Sequence, residues 1–181
     1  MRAINRVLMR LEYDIAAALF NTSTWTGSAL TTNVATPWTT KASADPVANI
    51  DAAHDKVTAS CGMEANTLVL TKKAFRAILR SDRVEGLLTY DASELMIAMN
   101  QGQNQSMVAQ VVSGLKELLQ VDKILIGRGM QNTADKGQPA SLSRVWNDTM
   151  AMLCVTHDDG FDGDLENPMP CIGRTIFSTK N

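Results

Sequence analysis

Two short apolar runs set the strongest limit on how this chain folds. Thr67-Leu-Val-Leu-Thr71 and Asp122-Lys-Ile-Leu-Ile-Gly127 carry β-branched residues in brief stretches with polar or glycine edges, the pattern of buried strands. Residues 72–121 between them follow helical spacing for most of their length. Two strands separated by helices call for helices packed on a sheet. Thr149–Thr156 and Arg174–Thr179 read as two further strands, with no helix between them. The expected fold is therefore α/β or α+β, a small mixed sheet flanked by helices.

The helices are marked by their ends. Asp45-Pro46 supplies an N-cap and a first-turn proline, and Cys61-Gly62 supplies a C-terminal glycine. Val47, Ile50, Ala53, His54 and Val57 form the inward face between them. Lys72–Arg80 is a second helix with Ala74, Phe75, Ile78 and Leu79 inward. Residues 81–104 read as irregular, with a short helix over 92–99 and a polar break at 100–105. Ser106–Gln120 places Val108, Val111, Val112, Leu115, Leu118 and Leu119 on one face. Arg128–Leu142 reads as a polar, glycine-containing loop and Asp158–Glu166 as an acidic one.

The first 45 residues are of another kind. Ile4, Leu8, Leu11, Ile15 and Ala18 alternate at +4 and +3, a narrow seam on an amphipathic helix over 3–20. Arg2, Arg6 and Arg10 form a second stripe. No N-cap precedes the seam, so the helix starts like an element cut in mid-course. Residues 21–45 are rich in Thr, Ser and Ala and nearly uncharged, a long loop pinned by Trp25 and Trp38. Loops of this length inside a domain are usually functional.

Composition narrows the chemistry. The chain has 181 residues, a net charge of −2, three Cys and two His. The first 90 residues hold 10 Lys+Arg against 8 Asp+Glu, and the rest hold 7 against 11. A general electrostatic grip on nucleic acid needs a basic domain and is disfavoured. The cysteines show no C-x-x-C spacing, which argues against a zinc cluster or disulfide framework and for a reducing compartment. Glu12 and Asp14 interrupt the apolar stretch a signal peptide requires. No run approaches the length of a membrane span, so the expectation is a soluble protein made in the cytosol.

Few residues stand as catalytic candidates. Gly127-x-Gly129-x-x-Asn132 follows a strand, where a dinucleotide loop would lie, but its third position is Asn and a polar loop follows instead of a helix. A strand-to-loop turn is the simpler reading. Asp158, Asp159, Asp162, Asp164 and Glu166 lie beside His157. Aligned as a calcium loop from Asp158, Gly163 fits the sixth position, but Gly160 and Met169 fail two ligand positions. His54, at helical spacing with Ile50 and Val57, reads as a satisfied core histidine. No serine or cysteine sits in a nucleophile-elbow pattern. The residues thus assign no catalytic group, metal or cofactor and point toward an assembly component.

The order of several segments carries a resemblance. Trp38 precedes Asp45-Pro-Val-Ala-Asn-Ile50, which opens a helix. Gly62-x-x-x-Asn66-Thr-Leu-Val-Leu-Thr71 enters a helix ending in LRSDRVEGLL. Val121–Gly127, Asn132-Thr133-Ala134-x-x-Gly137, Val145-Trp146 and the run at 149–155 follow. Over about residues 5–177 this resembles the major capsid (coat) proteins of tailed bacteriophages.

The resemblance implies that fold, with residues 1–22 a remnant of the peripheral-domain spine helix and 23–43 a Thr-rich connecting loop. Residues 44–181 would be a C-terminally truncated axial domain. It implies a fragment lacking the N-terminal arm, the extended loop and the last peripheral strands. The implied function is that of a structural subunit of a phage or prophage head. It would be no enzyme, carry no cofactor and assemble into capsomers around the packaged genome. Its partners would be other copies of itself, with scaffold or decoration proteins beside them, and neither specific nucleic acid nor membrane. The place implied is the virion, after synthesis in the bacterial cytoplasm. The expected subunit-contact residues are Arg2, Arg6, Arg10, Gln101, Gln103, Arg128, Gln131, Asn132 and Lys136. The alternative is a soluble α/β enzyme domain with a phosphate- or cofactor-binding loop at 127–132. For the chain alone, the expectation is a monomer or weak small oligomer, its seam at 4–15 projecting or covered by a second copy.

Overall fold

A computed structural model of the chain describes residues 2–91, 95, 97–99, 105–134 and 137–156. The elements are helices α1 (Arg2–Leu19), α2 (Pro46–Cys61), α3 (Lys72–Leu79), α4 (Asp82–Leu88) and α5 (Gln105–Leu118), with strands β1 (Thr67–Thr71), β2 (Lys123–Gly127), β3 (Met130–Asn132), β4 (Leu142–Arg144) and β5 (Ala151–Cys154). The main sheet is ordered β2-β1-β5. β1 pairs with β2 in parallel, Val69 opposite Leu125, and with β5 antiparallel, Val69 opposite Met152. β3 and β4 form a separate antiparallel hairpin. The expected mixed sheet flanked by helices is thus present.

β1 is the centre of the molecule, and all five of its residues are buried. Leu68 and Leu70 face the helices, where Ile50, Phe75, Ile78, Leu79, Val84, Leu95, Val111, Leu115, Leu119 and Val121 complete the core. Ile124, Ile126 and Leu153 pack on the same side from the neighbouring strands. Alternation sends Val69, Leu125 and Met152 to the opposite face. β2 is an edge strand, and there Leu125 is 50% exposed. Its other four residues are half-buried, so the expectation of a buried second strand is corrected: only β1 is buried throughout.

Local chemistry explains where the elements start and stop. Asp45 accepts a hydrogen bond from Ala48 N at 3.0 Å, and Gly62 closes α2 in the left-handed region at φ 70°. Thr71 ends β1 and caps α3, its Oγ1 accepting from Ala74 N. Asn66 stitches the sheet together at its end. Its side chain donates to Thr156 O at 2.6 Å and accepts from Thr156 N at 2.8 Å, mimicking one more peptide of the β1–β5 ladder. Its carbonyl receives Asp122 N and Lys123 N at the start of β2.

Two expectations are corrected. Residues 82–88, read as irregular, form α4. It is too short and glycine-bearing to show a period. Asp82 and Glu85 favour its first turn, and Val84 is fully buried. Residues 128–142, read as a loop, contain β3 and lead into β4. The strands are three residues each, too short for an alternation signal, and Asn132 shapes the turn by accepting from Ala134 N and Ser141 N. Of the short helix expected over 92–99, residues 95 and 97–99 are described and are helical. Of the polar break expected at 100–105, Gln105 instead opens α5; residues 100–104, the acidic loop and the strand expected at 174–179 lie outside the described residues, as does the calcium-loop alignment.

Residues 21–45 hold no helix or strand, yet they are fastened at several points. Trp25 Nε1 donates to Leu19 O at 2.9 Å, and Trp38 Nε1 to Asn49 Oδ1 at 3.2 Å. Both tryptophans expected to pin the loop do so. Lys56 reaches from α2 to Ser28 O at 2.9 Å and to Thr32 Oγ1. Lys41 meets Asp82 and Glu85 of α4 at 3.3 and 3.2 Å, and Ser81 Oγ donates to Ala44 O at 3.1 Å.

Candidate functional site

The most organised cluster outside the core joins α1 to the end of β2 and the hairpin. Trp146 follows β4, and its Nε1 donates to Glu12 Oε1 at 2.7 Å. Phe20 meets the Trp146 ring edge-on, with centroids 5.1 Å apart and planes at 85°. Gly127 and Gly129 permit this junction. A Cβ on Gly127 would lie 2.5 Å from the Trp146 ring, and one on Gly129 would lie 2.5 Å from Glu12 Oε1. Val145 N donates to Gly129 O at 3.0 Å, holding the hairpin against the same point.

These contacts give the Gly127-x-Gly129 spacing a structural cause. The space beside both glycines is filled by an indole and a carboxylate of this chain. A loop that cradles phosphate needs backbone N–H groups open to an anion and a helix N-terminus behind them. Here β3 begins at Met130 where a helix would be needed, and the Glu12 carboxylate fills the space beside Gly129, although Arg128 stands exposed between the two glycines.

Among the described side chains, α1 is attached through one face. Ala16 and Phe20 are buried, and Met9, Glu12 and Tyr13 are half-buried. The seam lies on another side. Leu8 is 56% exposed, Leu11 55% and Ile15 43%, with Val7 exposed beside them. Among the described residues none closes over these seam positions. The hairpin also turns apolar groups outward: Met130 and Leu142 are exposed, Met130 paired with Arg144 and Asn132 with Leu142.

The expected contact residues fall into three groups. Arg10 is exposed, paired with Asp14 at 3.1 Å and stacked over the Tyr13 ring at 5.3 Å. Arg2 and Arg6 occupy the preceding turns of α1. Arg128 is exposed just after β2, Gln131 is half-buried in β3, and exposed Asn132 spends its side-chain oxygen on the hairpin turn. Gln101, Gln103 and Lys136 lie outside the described residues. The structure gathers Arg128, Gln131 and Asn132 on one connection. The Glu12–Trp146 pair, 134 positions apart, was not paired by reading the sequence; two glycines bracketing one residue after a strand were its only local signal.

Other titratable groups serve the fold. His54 Nε2 lies 3.0 Å from Leu119 O, tying α2 to the end of α5, and the ring is half-buried as expected. Tyr90 donates to Leu79 O at 2.7 Å. Burial, followed by the Glu85 charge, pushes its hydroxyl well above the ordinary phenol range. Burial also pushes the Cys154 thiol up. Glu85 and then Asp82 hold the Lys41 ammonium above its usual range. Among the described residues no group of three or more His, Cys, Asp or Glu is placed to hold a metal ion. No described helix is long and apolar enough to cross a membrane.

Comparison with known proteins bears on the fold. The chain is similar to a phage-related protein from Bordetella bronchiseptica RB50, known from a crystal structure, with a TM-score of 0.60 and 23% identity. The likeness covers 92% of this chain and 49% of that one, so the chain spans about half that protein's length. No protein-family model and no curated protein matches. What is shared is the fold: a mixed α+β unit also found in a phage-related protein.

Proposed function

We propose that this chain is part of a structural subunit of a phage or prophage head, of the major capsid protein kind, acting by contact and not by catalysis. The observation that carries the proposal is a coincidence of order and fold. The segments resembling coat proteins, DPVANI, NTLVLT and VDKILIG, form α2, β1 and β2 around one core. That core belongs to a fold also seen in a phage-related protein. Its partners on this reading are further copies of itself, with scaffold or decoration proteins beside them, and its place is the virion. The uncovered seam of α1 and the outward Met130 and Leu142 suit a protein whose surfaces meet neighbours.

The alternative, an enzyme domain with a phosphate loop at 127–132, finds less support. Trp146 and Glu12 occupy the ground such a loop needs, and a carboxylate repels the anion it would bind.

Expression of the gene that encodes the chain, followed by electron microscopy, tests the proposal. Closed shells of uniform size support it. A dispersed protein without shells, stabilised several degrees by one nucleotide, overturns it in favour of the enzyme reading.

A further inference from the structure

α1 has a charge order that does not suit an isolated helix. Arg2, Arg6 and Arg10 stand in its first half, and Glu12 and Asp14 in its second. No acidic residue lies in the first turn and no basic residue in the last. A helix carries partial positive charge at its N-terminus and negative charge at its C-terminus. The side-chain charges therefore run with the dipole where they should oppose it.

An antiparallel neighbour of the same sequence removes this conflict. It sets the acidic half of one helix beside the basic half of the other, at both ends. The exposed seam is compatible with that arrangement, because it alternates by four and three as a two-helix seam requires. With Leu8 opposite Leu11 of the second copy, Ile15 comes opposite Ile4 and Asp14 falls within a residue of Arg6. Asp14 is available for this: its present partner is Arg10 of its own chain, and both side chains are more than half exposed. Exposed pairs of this kind exchange readily. Among the described residues the attachment of α1 leaves Leu8, Leu11 and Ile15 exposed, since Glu12, Ala16 and Phe20 hold the helix from another side.

We propose that α1 is a self-complementary contact surface whose occupant is α1 of a second copy, packed antiparallel across a two-fold axis. Residue pairs then recur reciprocally, as in an isologous interface. The inference goes beyond the capsid reading and does not depend on it, since it needs only two copies of this chain. One pair of short helices buries less than the roughly 1,200 Å² of stable specific interfaces. The dimer is accordingly weak, with half-association on the order of 100 µM once the cost of bringing two bodies together is included.

Sedimentation velocity of the whole chain from 5 to 500 µM, as rough bounds on that midpoint, tests this directly. The expected result is a monomer-to-dimer shift that Leu11→Glu abolishes. Arg6→Glu and Asp14→Arg should each weaken association about threefold to tenfold, the worth of two exposed ion pairs, since a two-fold axis repeats the contact. The double variant Arg6→Glu/Asp14→Arg should restore it, because the swapped charges meet again only if the helices are antiparallel. Circular dichroism and tryptophan fluorescence unchanged in each variant show that the fold is intact. A wild-type chain that stays monomeric at 500 µM, or a double variant no better than either single one, overturns the proposal. So does a ring of more than two copies. Shell formation by the expressed gene is a separate outcome, so this contact and the capsid reading succeed or fail independently.

Discussion

β1 and α1 carry apolar residues of similar kind and meet opposite fates. In β1, Leu68 and Leu70 are closed off by strands on both sides and by helices over one face. In α1, Leu8, Leu11 and Ile15 remain more than two-fifths exposed, while smaller and polar groups, Glu12 and Ala16, make the attachment. Hydrophobic pattern alone therefore does not say which stripe becomes core. A strand paired on both edges has its neighbours imposed by backbone hydrogen bonds. α1 has no such ladder and docks through the contacts the body offers, here the Trp146 indole set against Gly127 and the space beside Gly129 that its own Glu12 fills. The stripe left over marks where covering material must come from outside the described residues.

The sharpest way to break this comparison is to cut equal amounts from each region. Leu70→Ala should destabilise the chain by about 2–5 kcal/mol, because it empties a fully enclosed site. Leu11→Ala, with half its surface already in water, should change stability by no more than about 0.5 kcal/mol in a dilute monomer. Urea denaturation of both variants at low concentration measures the gap. Equal losses would mean that α1 is covered within the chain and that its seam is core after all.

A second test separates the two glycines. Gly127→Ala forces a methyl into the Trp146 ring, and overpacking of a rigid group costs roughly 1–3 kcal/mol. Gly129→Ala meets the far end of the Glu12 side chain, which can swing aside, so its cost should be smaller. Both should disturb the tryptophan fluorescence, to which Trp146 contributes with Trp25 and Trp38. If Gly129→Ala proves the more damaging, the carboxylate is held more firmly than its single hydrogen bond to Trp146 implies.

Much of this was legible beforehand, and the reasons are specific. Asp45-Pro46 and Gly62 fix the ends of α2 by local chemistry, so their meaning does not depend on the remainder of the chain. TLVLT and KILIG announce strands by composition. The pairing of Val69 with both Leu125 and Met152 was legible only as a general expectation of a mixed sheet. α4 and the hairpin escaped because their stability comes from contacts distant in sequence: Ser81 with Ala44, Lys41 with Glu85, Trp146 with Glu12. Asn132 shows what a sequence reading of the site leaves out. An exposed asparagine in a polar stretch looks free for a partner, yet its oxygen is committed to two backbone N–H groups, two and nine residues further along the chain.

The junction itself offers a third test. Trp146→Phe keeps a ring for Phe20 to meet but leaves Glu12 without its donor. The expected cost is about 1–2 kcal/mol, the penalty for a part-buried acceptor that loses its partner. Hydrogen exchange should accelerate in the amides of α1 far more than in those of β1, since only the attachment is loosened. Uniform acceleration would show that α1 and the core unfold as one unit, and the contrast between the two regions would lose its energetic basis.

The smallest expected effect concerns alkaline pH and asks whether the tie between α3 and the loop after α4 behaves as buried structure. The Tyr90 hydroxyl donates to Leu79 O, and burial raises its pKa above the ordinary 10.0. The neutral form is therefore favoured in the folded chain. Its contribution is fully present below pH 10 and declines above it, as the unfolded chain begins to release the proton. Lys41 adds to the same trend from its ordinary 10.5 upward, because deprotonation removes its attraction to Glu85 and Asp82. Stability should thus be level between pH 7 and 9 as far as these two groups are concerned, and fall from pH 10. Tyr90→Phe should cost about 1 kcal/mol at pH 7, the value of one hydrogen bond. It should also flatten the decline, so that the variant and parent curves converge near pH 11. Parallel curves across that range would show that the hydroxyl ionises as readily in the folded chain as in the unfolded one, and that residue 90 belongs with the exposed seam of α1 and not with the core around β1.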